Sequence, residues 1–309
     1  MLKVFDCSNS DQRPEHRGGG GPIENDIMRY LKTHARRLEF VATIDECDVI
    51  LTNDIFPDWA LGRKAKYVKR MDGVYWLRSL MSRNEKYNQA AQYADMVIFI
   101  SEYSKNQYFK LYGNALKNYT MAHHWADPRE FAIDRAVTVR AYDFCAVATD
   151  WSREEKRLKS IIQFAELFPK VNIIIAGTNT SHLPSNIFNY GYSDKLSRVY
   201  NISKAFLNLS YRDAATKTVC QAIRCGLPVL YANSGGVSEM VGDYGIGISD
   251  PSNDEFEDSV PDLTEDAICA GYAEFLLTDI KIKYPVSDSI KKYNTMLENY
   301  TKAMERLFD

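Results

Sequence analysis

Two polar stretches of the sequence have the position and composition expected of anion-binding loops. The first, 211–218, separates an apolar run (205–209) from an amphipathic segment that stops at Gly226. The second, 233–239, follows the apolar run 229–232 and leads into a short helical segment. Strand, helix, strand and loop in this order predict a βαβ unit of a parallel sheet. Ligands of open α/β sheets bind outside the carboxyl ends of the strands, where N–H groups at helix N-termini favour phosphate.

A third stretch with this arrangement lies near the N-terminus. Residues 2–7 predict a strand, four glycines (18–21) end the following loop, and Pro22 starts a helical stripe. Glycines between strand and helix let an anion approach the backbone closely. The loop is neither GxGxxG nor a P-loop, so the sequence has no dinucleotide or ATP fingerprint here. A loop without a binding role is the alternative.

The C-terminal stretches have a long, ordered counterpart in a known family. Asp213 is followed, after seven residues, by Gln221, then by AIRCGLPV (222–229) and later by GGVSE (235–239). This order resembles the donor-binding segment of retaining family-4 glycosyltransferases of the GT-B fold (glycosyl transferases group 1). Their pattern is an acid, seven residues, Glu, Ala-x-x-x-Gly-x-Pro-Val and Gly-Gly-x-x-Glu. Gln221 replaces the second acid.

The resemblance implies roles for these residues. Asp213 would contact hydroxyls of the donor sugar and would be catalytic. Gln221 would lie at the ribose, where an amide forms a weaker hydrogen bond than a carboxylate does. Donor binding is also implied for four glycines and one acid: Gly19, Gly20, Gly235, Gly236 and Glu239.

The charged loop 149–157 precedes a predicted helix and resembles the family's diphosphate-binding loop. Lys156 aligns with the family's Lys, the position of its Arg falls on Trp151, and Arg157 replaces a Gly. Arg153 can supply the missing charge. The departing nucleoside diphosphate gains negative charge, which fixed cations stabilise. We therefore expect Lys156 to be catalytic and both cations to bind the donor; a solvated charge cluster is the alternative.

Asp72 is the third candidate catalytic residue. A strand predicted over 67–71 ends in the sequence RMDG (70–73), where the family carries His-Gly or Arg-x-Asp-Gly near the sugar. A carboxylate there can accept hydrogen bonds from sugar hydroxyls or hold Arg70. An Asp-Gly turn with only a structural role is the alternative.

Strands and helices alternate in two halves, each of which begins with a strand and a loop. This predicts an α/β protein, and the resemblance specifies the GT-B fold: two facing Rossmann-like domains with parallel sheets and a cleft between them. The expected domains are 1–138, which would hold the acceptor, and 139–285, which would hold the nucleotide sugar. Residues 286–309 would form a helix that can cross back to the first domain.

Composition and charge limit the functional classes to which this chain can belong. The chain has 309 residues, of which 45% are hydrophobic and 26% charged, and a formal net charge of −3. This charge gives no general attraction to nucleic acid or anionic membrane. The six cysteines contain no CxxC pair, the N-terminus does not read as a signal peptide, and no apolar run approaches the length of a membrane span. We therefore expect a cytoplasmic protein with reduced cysteines.

The leading functional interpretation is a retaining glycosyltransferase that uses a nucleoside-diphosphate sugar. The acceptor, whether sugar, glycan, lipid or protein, stays open. The sequence has no Asp-x-Asp motif, so we expect an enzyme without metal or cofactor. Adjacent His123 and His124 would point apart on a strand and do not make a metal site.

Other interpretations share the fold. One is a degenerate GT-B protein that binds a nucleotide sugar or a partner without turnover. A sugar-nucleotide epimerase is disfavoured because no His, Asp and Glu acid–base set is recognisable. A DNA glucosyltransferase, whose phosphate backbone the cationic cluster within 63–70 could face, is disfavoured by the net charge and by the lack of interleaved aromatics. The same cluster could touch a membrane surface, and a solvated face is the favoured alternative.

Overall fold

A computed structural model of the chain describes residues 1–7, 38–56, 58–113, 115–180, 182–250, 255–280 and 286–309. The chain divides into two compact units. The first comprises Met1–His123 together with Asn294–Asp309, and the second comprises His124–Tyr293. The boundaries at 138 and 285 remain predictions from sequence. All six cysteines lie in the described residues, and none of them is in a disulfide.

The described residues of the first unit form a six-stranded parallel sheet of order β2-β1-β3-β4-β5-β6. The strands are β1 Leu2–Asp6, β2 Leu38–Phe40, β3 Val49–Thr52, β4 Lys66–Met71, β5 Met96–Phe99 and β6 Tyr119–Met121. Its central strands are buried along their length: β3 and β5 expose no residue, as expected of a parallel sheet covered on both faces.

In the described part of this unit, the helices that connect strands are α1 Met81–Tyr93 and α2 Glu102–Tyr112. Ser101 caps the start of α2. Its hydroxyl accepts the N–H of Ser104 at 3.0 Å, and the hydroxyl of Ser104 accepts the N–H of Ser101 at 3.2 Å. Gly113 ends the helix at φ 70°, in the left-handed region that suits glycine.

The second unit has its own six-stranded parallel sheet, of order β12-β11-β10-β7-β8-β9. The strands are β7 Tyr142–Asp150, β8 Ile173–Thr178, β9 Ile187–Gly191, β10 Ser203–Asn208, β11 Val229–Asn233 and β12 Gly245–Ser249. The helices are α3 Leu158–Leu167, α4 Leu196–Asn201, α5 Lys217–Arg224, α6 Val237–Val241 and α7 Glu265–Leu277. The final helix, α8 Val286–Glu305, has residues in both units.

Aromatic packing holds α3 and α7 on the second sheet. The ring of Phe164 in α3 lies 5.5 Å from that of Phe144 in β7 and 5.2 Å from that of Tyr272 in α7. These rings join a core built from β7, β8, β10, β11 and β12. The buried core fixes the strands, and thereby the places where their carboxyl-terminal loops begin.

Those loops meet at one edge of the second sheet, because every strand in it is parallel. Residues 151–157 follow β7, residues 209–216 follow β10, residues 234–236 follow β11, and Asp250 follows β12. The predicted βαβ unit is confirmed, since β10 and β11 pair in parallel across α5.

Two strands escaped prediction from sequence. β2 has three residues, too few for an alternating pattern, and β12 reads GIGIS, in which glycines lower the strand propensity. The predicted strands and helices elsewhere agree with the described elements within a few residues at their ends. The helix expected near 23–35 lies outside the described residues. Across the described part of the chain, no helix is long and apolar enough to cross a bilayer.

Candidate functional site

Lys156 and Asp213 form an ion pair at the carboxyl edge of the second sheet. The Lys156 Nζ lies 2.7 Å from Asp213 Oδ2, and the two side chains are 18% and 19% exposed. Burial is the largest single influence and raises the pKa of the Asp213 carboxyl, but the Lys156 ammonium, together with Thr216 and Arg153, leaves that pKa below its ordinary value. The pair therefore presents an ionised carboxylate beside an ammonium, both within reach of solvent.

A glycine turn holds Asp213 from the other side. The N–H of Gly236 donates to the Asp213 carbonyl at 2.9 Å, and the N–H of Arg212 donates to the Ser234 hydroxyl at 3.0 Å. A Cβ added to Gly235 would lie 2.4 Å from the Asp213 carbonyl oxygen. A side chain at position 235 would thus separate the two loops, which explains the glycine there.

The loop after β7 positions Lys156 through its backbone. Residues Glu154–Lys156 form a 3-10 turn, and the N–H of Tyr211 donates to the Glu155 carbonyl at 2.8 Å. This bond ties the Lys156 loop to the Asp213 loop. Arg153, the predicted second cation, directs its Nε to the Glu155 carboxylate at 2.7 Å.

Arg157 belongs to the same loop but has different surroundings. It stands at φ 50° and begins α3, and its guanidinium binds Asp250 with Nη1–Oδ2 2.6 Å and Nη2–Oδ1 3.3 Å. These side chains are 1% and 0% exposed. The guanidinium carbon also lies 4.5 Å from the centre of the Tyr211 ring.

Sequence reasoning missed this second pair. Arg157 and Asp250 are 93 residues apart, and Asp250 follows a strand that the sequence did not reveal. The feature that could have pointed to it is Arg157 itself, a charged residue where the family that the sequence resembles has glycine.

Trp151 is a core residue rather than a member of this site. Its Nε1 donates to the Ala176 carbonyl at 3.1 Å, and the residue is 5% exposed. Gly177, at φ 143°, leaves room for the indole: an added Cβ would lie 2.8 Å from Nε1. Trp151, which stands where the family has an arginine, therefore packs into the core beside β8.

Gln221 and Glu239 have contacts inside the second unit. The Gln221 side-chain oxygen accepts the Tyr200 hydroxyl at 2.9 Å, and Gln221 is 4% exposed. Glu239 is exposed in α6, and its N–H donates to the Gly236 carbonyl at 3.2 Å. Their contacts with a nucleotide sugar stay predictions.

The remaining predicted residues belong to the first unit. Asp72 follows β4 and forms an ion pair with Arg70, Nη2–Oδ1 2.8 Å, in which the aspartate side chain is 41% exposed. This is one of the two roles that the sequence allowed for that carboxylate. Gly19 and Gly20 lie outside the described residues.

The structure thus brings together Lys156, Asp213, Gly235 and Gly236 in the second unit. Throughout the described residues, no group of three or more His, Cys, Asp or Glu side chains is arranged to hold a metal ion. The site therefore contains a cation, a carboxylate and closely packed backbone turns. They lie at the edge of a parallel sheet where ligands of such folds bind.

Two α/β units with parallel sheets define the class as the GT-B fold, and solved structures confirm it. A glycosyltransferase from Rickettsia africae ESF-5 matches with a TM-score of 0.69 at 13% identity, over 100% of this chain and 99% of that one. Anabaena Alr3699/HepE in complex with UDP matches at 0.65 with 15% identity, over 99% and 98%. Sucrose-phosphate synthase from Thermosynechococcus elongatus matches at 0.61 with 12% identity, over 93% and 74%.

Part of the sequence also matches a family model. Residues 152–271 match the family model described as Glycosyl transferases group 1. That range begins in the Lys156 loop and includes Asp213, Gly235 and Gly236. The resemblance stated from the motifs is thereby confirmed. A comparison with curated proteins gives no match.

Proposed function

We propose that this chain is a glycosyltransferase that takes a sugar from a nucleoside-diphosphate sugar bound by its second unit. The observation that carries the proposal is the partly exposed Lys156–Asp213 pair at the carboxyl edge of the sheet. The pair lies within the range that matches the family model. Both side chains keep some access to solvent, and together they would offer one group for a diphosphate and one for sugar hydroxyls.

The proposed chemistry divides the work between these two side chains. The Lys156 ammonium would stabilise the charge that the nucleoside diphosphate gains as its bond to the sugar breaks. Asp213 would accept hydrogen bonds from sugar hydroxyls, and its carboxylate already holds the ammonium in place at 2.7 Å. Gly235 and Gly236 would keep the Asp213 backbone in position.

Further parts of the proposal rest on the family resemblance. Arg153 would turn from Glu155 to the diphosphate, Gln221 would contact the ribose, and Glu239 would contact the donor. Gly19 and Gly20 would approach the donor from the first unit, and Asp72 would act at the sugar. We propose retention of configuration and catalysis without a metal, and we leave the acceptor open.

Ligand binding by the full chain tests the proposal directly. UDP is the first probe, because Anabaena Alr3699/HepE was solved with UDP and with UDP-glucose; GDP and ADP follow. We expect calorimetry to show UDP binding that Lys156→Ala weakens by roughly tenfold or more, the scale of one charge-assisted contact. Lys170→Ala is the matched control, because Lys170 is exposed in the turn before β8, at the opposite edge of the sheet.

Unchanged affinity in Lys156→Ala would show that the phosphate site is misplaced. Failure of the wild-type chain to bind any of the three nucleotides would contradict the proposal as a whole.

A protein that binds the donor without turnover is the second candidate. The observation that favours it is Gln221, whose oxygen is already engaged by the buried Tyr200 hydroxyl. Release of UDP from UDP-glucose, measured with and without a panel of acceptors, separates the two candidates. Binding with release supports the enzyme, and binding without release under every condition supports the second candidate.

A further inference from the structure

We infer that Arg157 is a positioning residue of the donor site, which acts by fixing Lys156 against Asp213. The inference deepens the proposed function and rests on it. Arg157 follows Lys156 directly, yet its side chain is 1% exposed and cannot meet a ligand in solution as Lys156 can. Its influence on the donor must therefore pass through the neighbouring residue.

The path of the Arg157 side chain shows how it can act. Arg157 starts in the loop after β7 and reaches Asp250 after β12, while β10 and β11 lie between those two strands in the sheet. On the way its guanidinium lies 4.5 Å from the centre of the Tyr211 ring. The loops after β10 and β11 are those that hold Asp213. One side chain thus connects the ends of the strands on both sides of the carboxylate.

Backbone bonds complete the connection to Lys156. The N–H of Tyr211 donates to the Glu155 carbonyl at 2.8 Å, so the ring under the guanidinium belongs to a residue already bonded to the Lys156 loop. Tyr211 also lies two residues before Asp213. Displacing the guanidinium would loosen both partners of the Lys156–Asp213 pair at once.

The choice of arginine also favours this role. Arg157 is in the left-handed region at φ 50°, where glycine would be the unstrained residue. A glycine would complete the turn but would leave the buried Asp250 carboxylate without its bidentate guanidinium partner. Lysine would keep the charge but cannot bind both oxygens of the carboxylate in the plane of a guanidinium.

The experiment is a double-mutant cycle read by UDP affinity in the full chain, with thermal melting to verify folding. We expect Arg157→Lys to weaken UDP binding about tenfold and Lys156→Ala to weaken it by a similar factor. In the double variant the loss should stay near tenfold, because Arg157 acts only through Lys156. A role limited to stability would leave the UDP affinity of folded Arg157→Lys unchanged, and an effect on binding independent of Lys156 would give losses that multiply to about a hundredfold in the double variant.

A second variant protects the test against a chain that does not fold. Tyr211→Leu removes the ring beneath the guanidinium while Arg157 and Asp250 keep each other as partners, and it should show the same lack of additivity with Lys156→Ala. Wild-type affinity in both Arg157→Lys and Tyr211→Leu, or multiplied losses in the double variants, would overturn the inference while Lys156→Ala still supports the donor site. Absence of nucleotide binding by the wild-type chain would instead refute the proposed function.

Discussion

The ion pairs Lys156–Asp213 and Arg157–Asp250 begin at neighbouring residues of one loop and end in opposite surroundings. In the first, both side chains are nearly one-fifth exposed; in the second, both are almost wholly enclosed. A charge that keeps access to water can exchange its partner for a ligand, whereas a buried charge that loses its partner is left without solvation. We therefore propose ligand contact for the open pair and a role in loop geometry for the closed one.

The backbone produces this difference between adjacent residues. Lys156 ends a 3-10 turn, while Arg157 takes the left-handed conformation at φ 50° and begins α3. Lys156 meets the loop after β10, and Arg157 meets the residue after β12. A single turn therefore sends two cations to two carboxylates with different access to solvent.

Removing the buried cation should have the largest effect. Arg157→Met keeps much of the apolar stem but leaves the Asp250 carboxylate unpaired, and we expect a loss of about 3–5 kcal/mol in the free energy of unfolding, measured with urea. The double variant Arg157→Met, Asp250→Asn should recover part of this loss, because no buried charge remains. The control is Lys204→Met, which breaks the exposed pair with Asp143 and should cost at most about 1 kcal/mol.

An equal loss of unfolding free energy in Arg157→Met and Lys204→Met would contradict the distinction between the open and the buried pair. It would mean that burial of the Arg157–Asp250 pair contributes nothing beyond an ordinary surface contact.

Gly235→Ala tests the open pair from its backbone side. The added Cβ would lie 2.4 Å from the Asp213 carbonyl oxygen, so the two loops must move apart. We expect a loss of about 1–3 kcal/mol in unfolding free energy, typical of overpacking, together with weaker UDP binding. Calorimetry and urea unfolding on the same preparations measure both.

The control for this substitution is Gly113→Ala at the end of α2. Gly113 has φ 70° and no atom within 4 Å of an added Cβ, so the change introduces strain without a clash. It should cost about 1 kcal/mol of stability and leave UDP affinity unchanged. Weakened UDP binding in Gly113→Ala, or unchanged binding in Gly235→Ala, would contradict the assignment of the glycine turn to the donor site.

Local patterns and the family resemblance were enough to single out both residues of the open pair, although not the contact between them. The α/β class and the GT-B resemblance are confirmed, and the stretches around Asp213 and Gly235 do lie together at the carboxyl edge of the second sheet. Apolar runs, glycines and helix caps act over a few residues and can be read directly from the sequence. The family's spacing added Lys156 to this set.

The buried pair could not be predicted in the same way. Arg157 meets Asp250 only because β12 completes the sheet at its far edge, and that strand is rich in glycine. Trp151 illustrates a related difficulty, since alignment with an arginine gives no hint that the side chain turns into the core. Contacts of this kind depend on strand order and packing, which no short motif encodes.

The smallest expected effect is the pH dependence of the open pair. The pKa of Asp213 is lowered in the folded chain, so its contribution to stability is present above the unfolded value of about 3.9 and is lost as pH falls through the lowered folded value. Asp213→Asn removes that contribution. The difference in unfolding free energy between wild type and Asp213→Asn should therefore be about 1 kcal/mol or less near pH 7, since the pair is partly solvated, and should shrink as the solution is acidified below about pH 4. Urea unfolding of both chains over this range measures it. Saturating UDP sharpens the comparison, because a diphosphate that shares Lys156 should alter the Asp213→Asn difference while leaving that of the half-buried Asp143→Asn control unchanged. A difference that grows on acidification would mean that the pKa of Asp213 is raised by burial, and that the carboxylate beside Lys156 is not the charged partner assigned to it here.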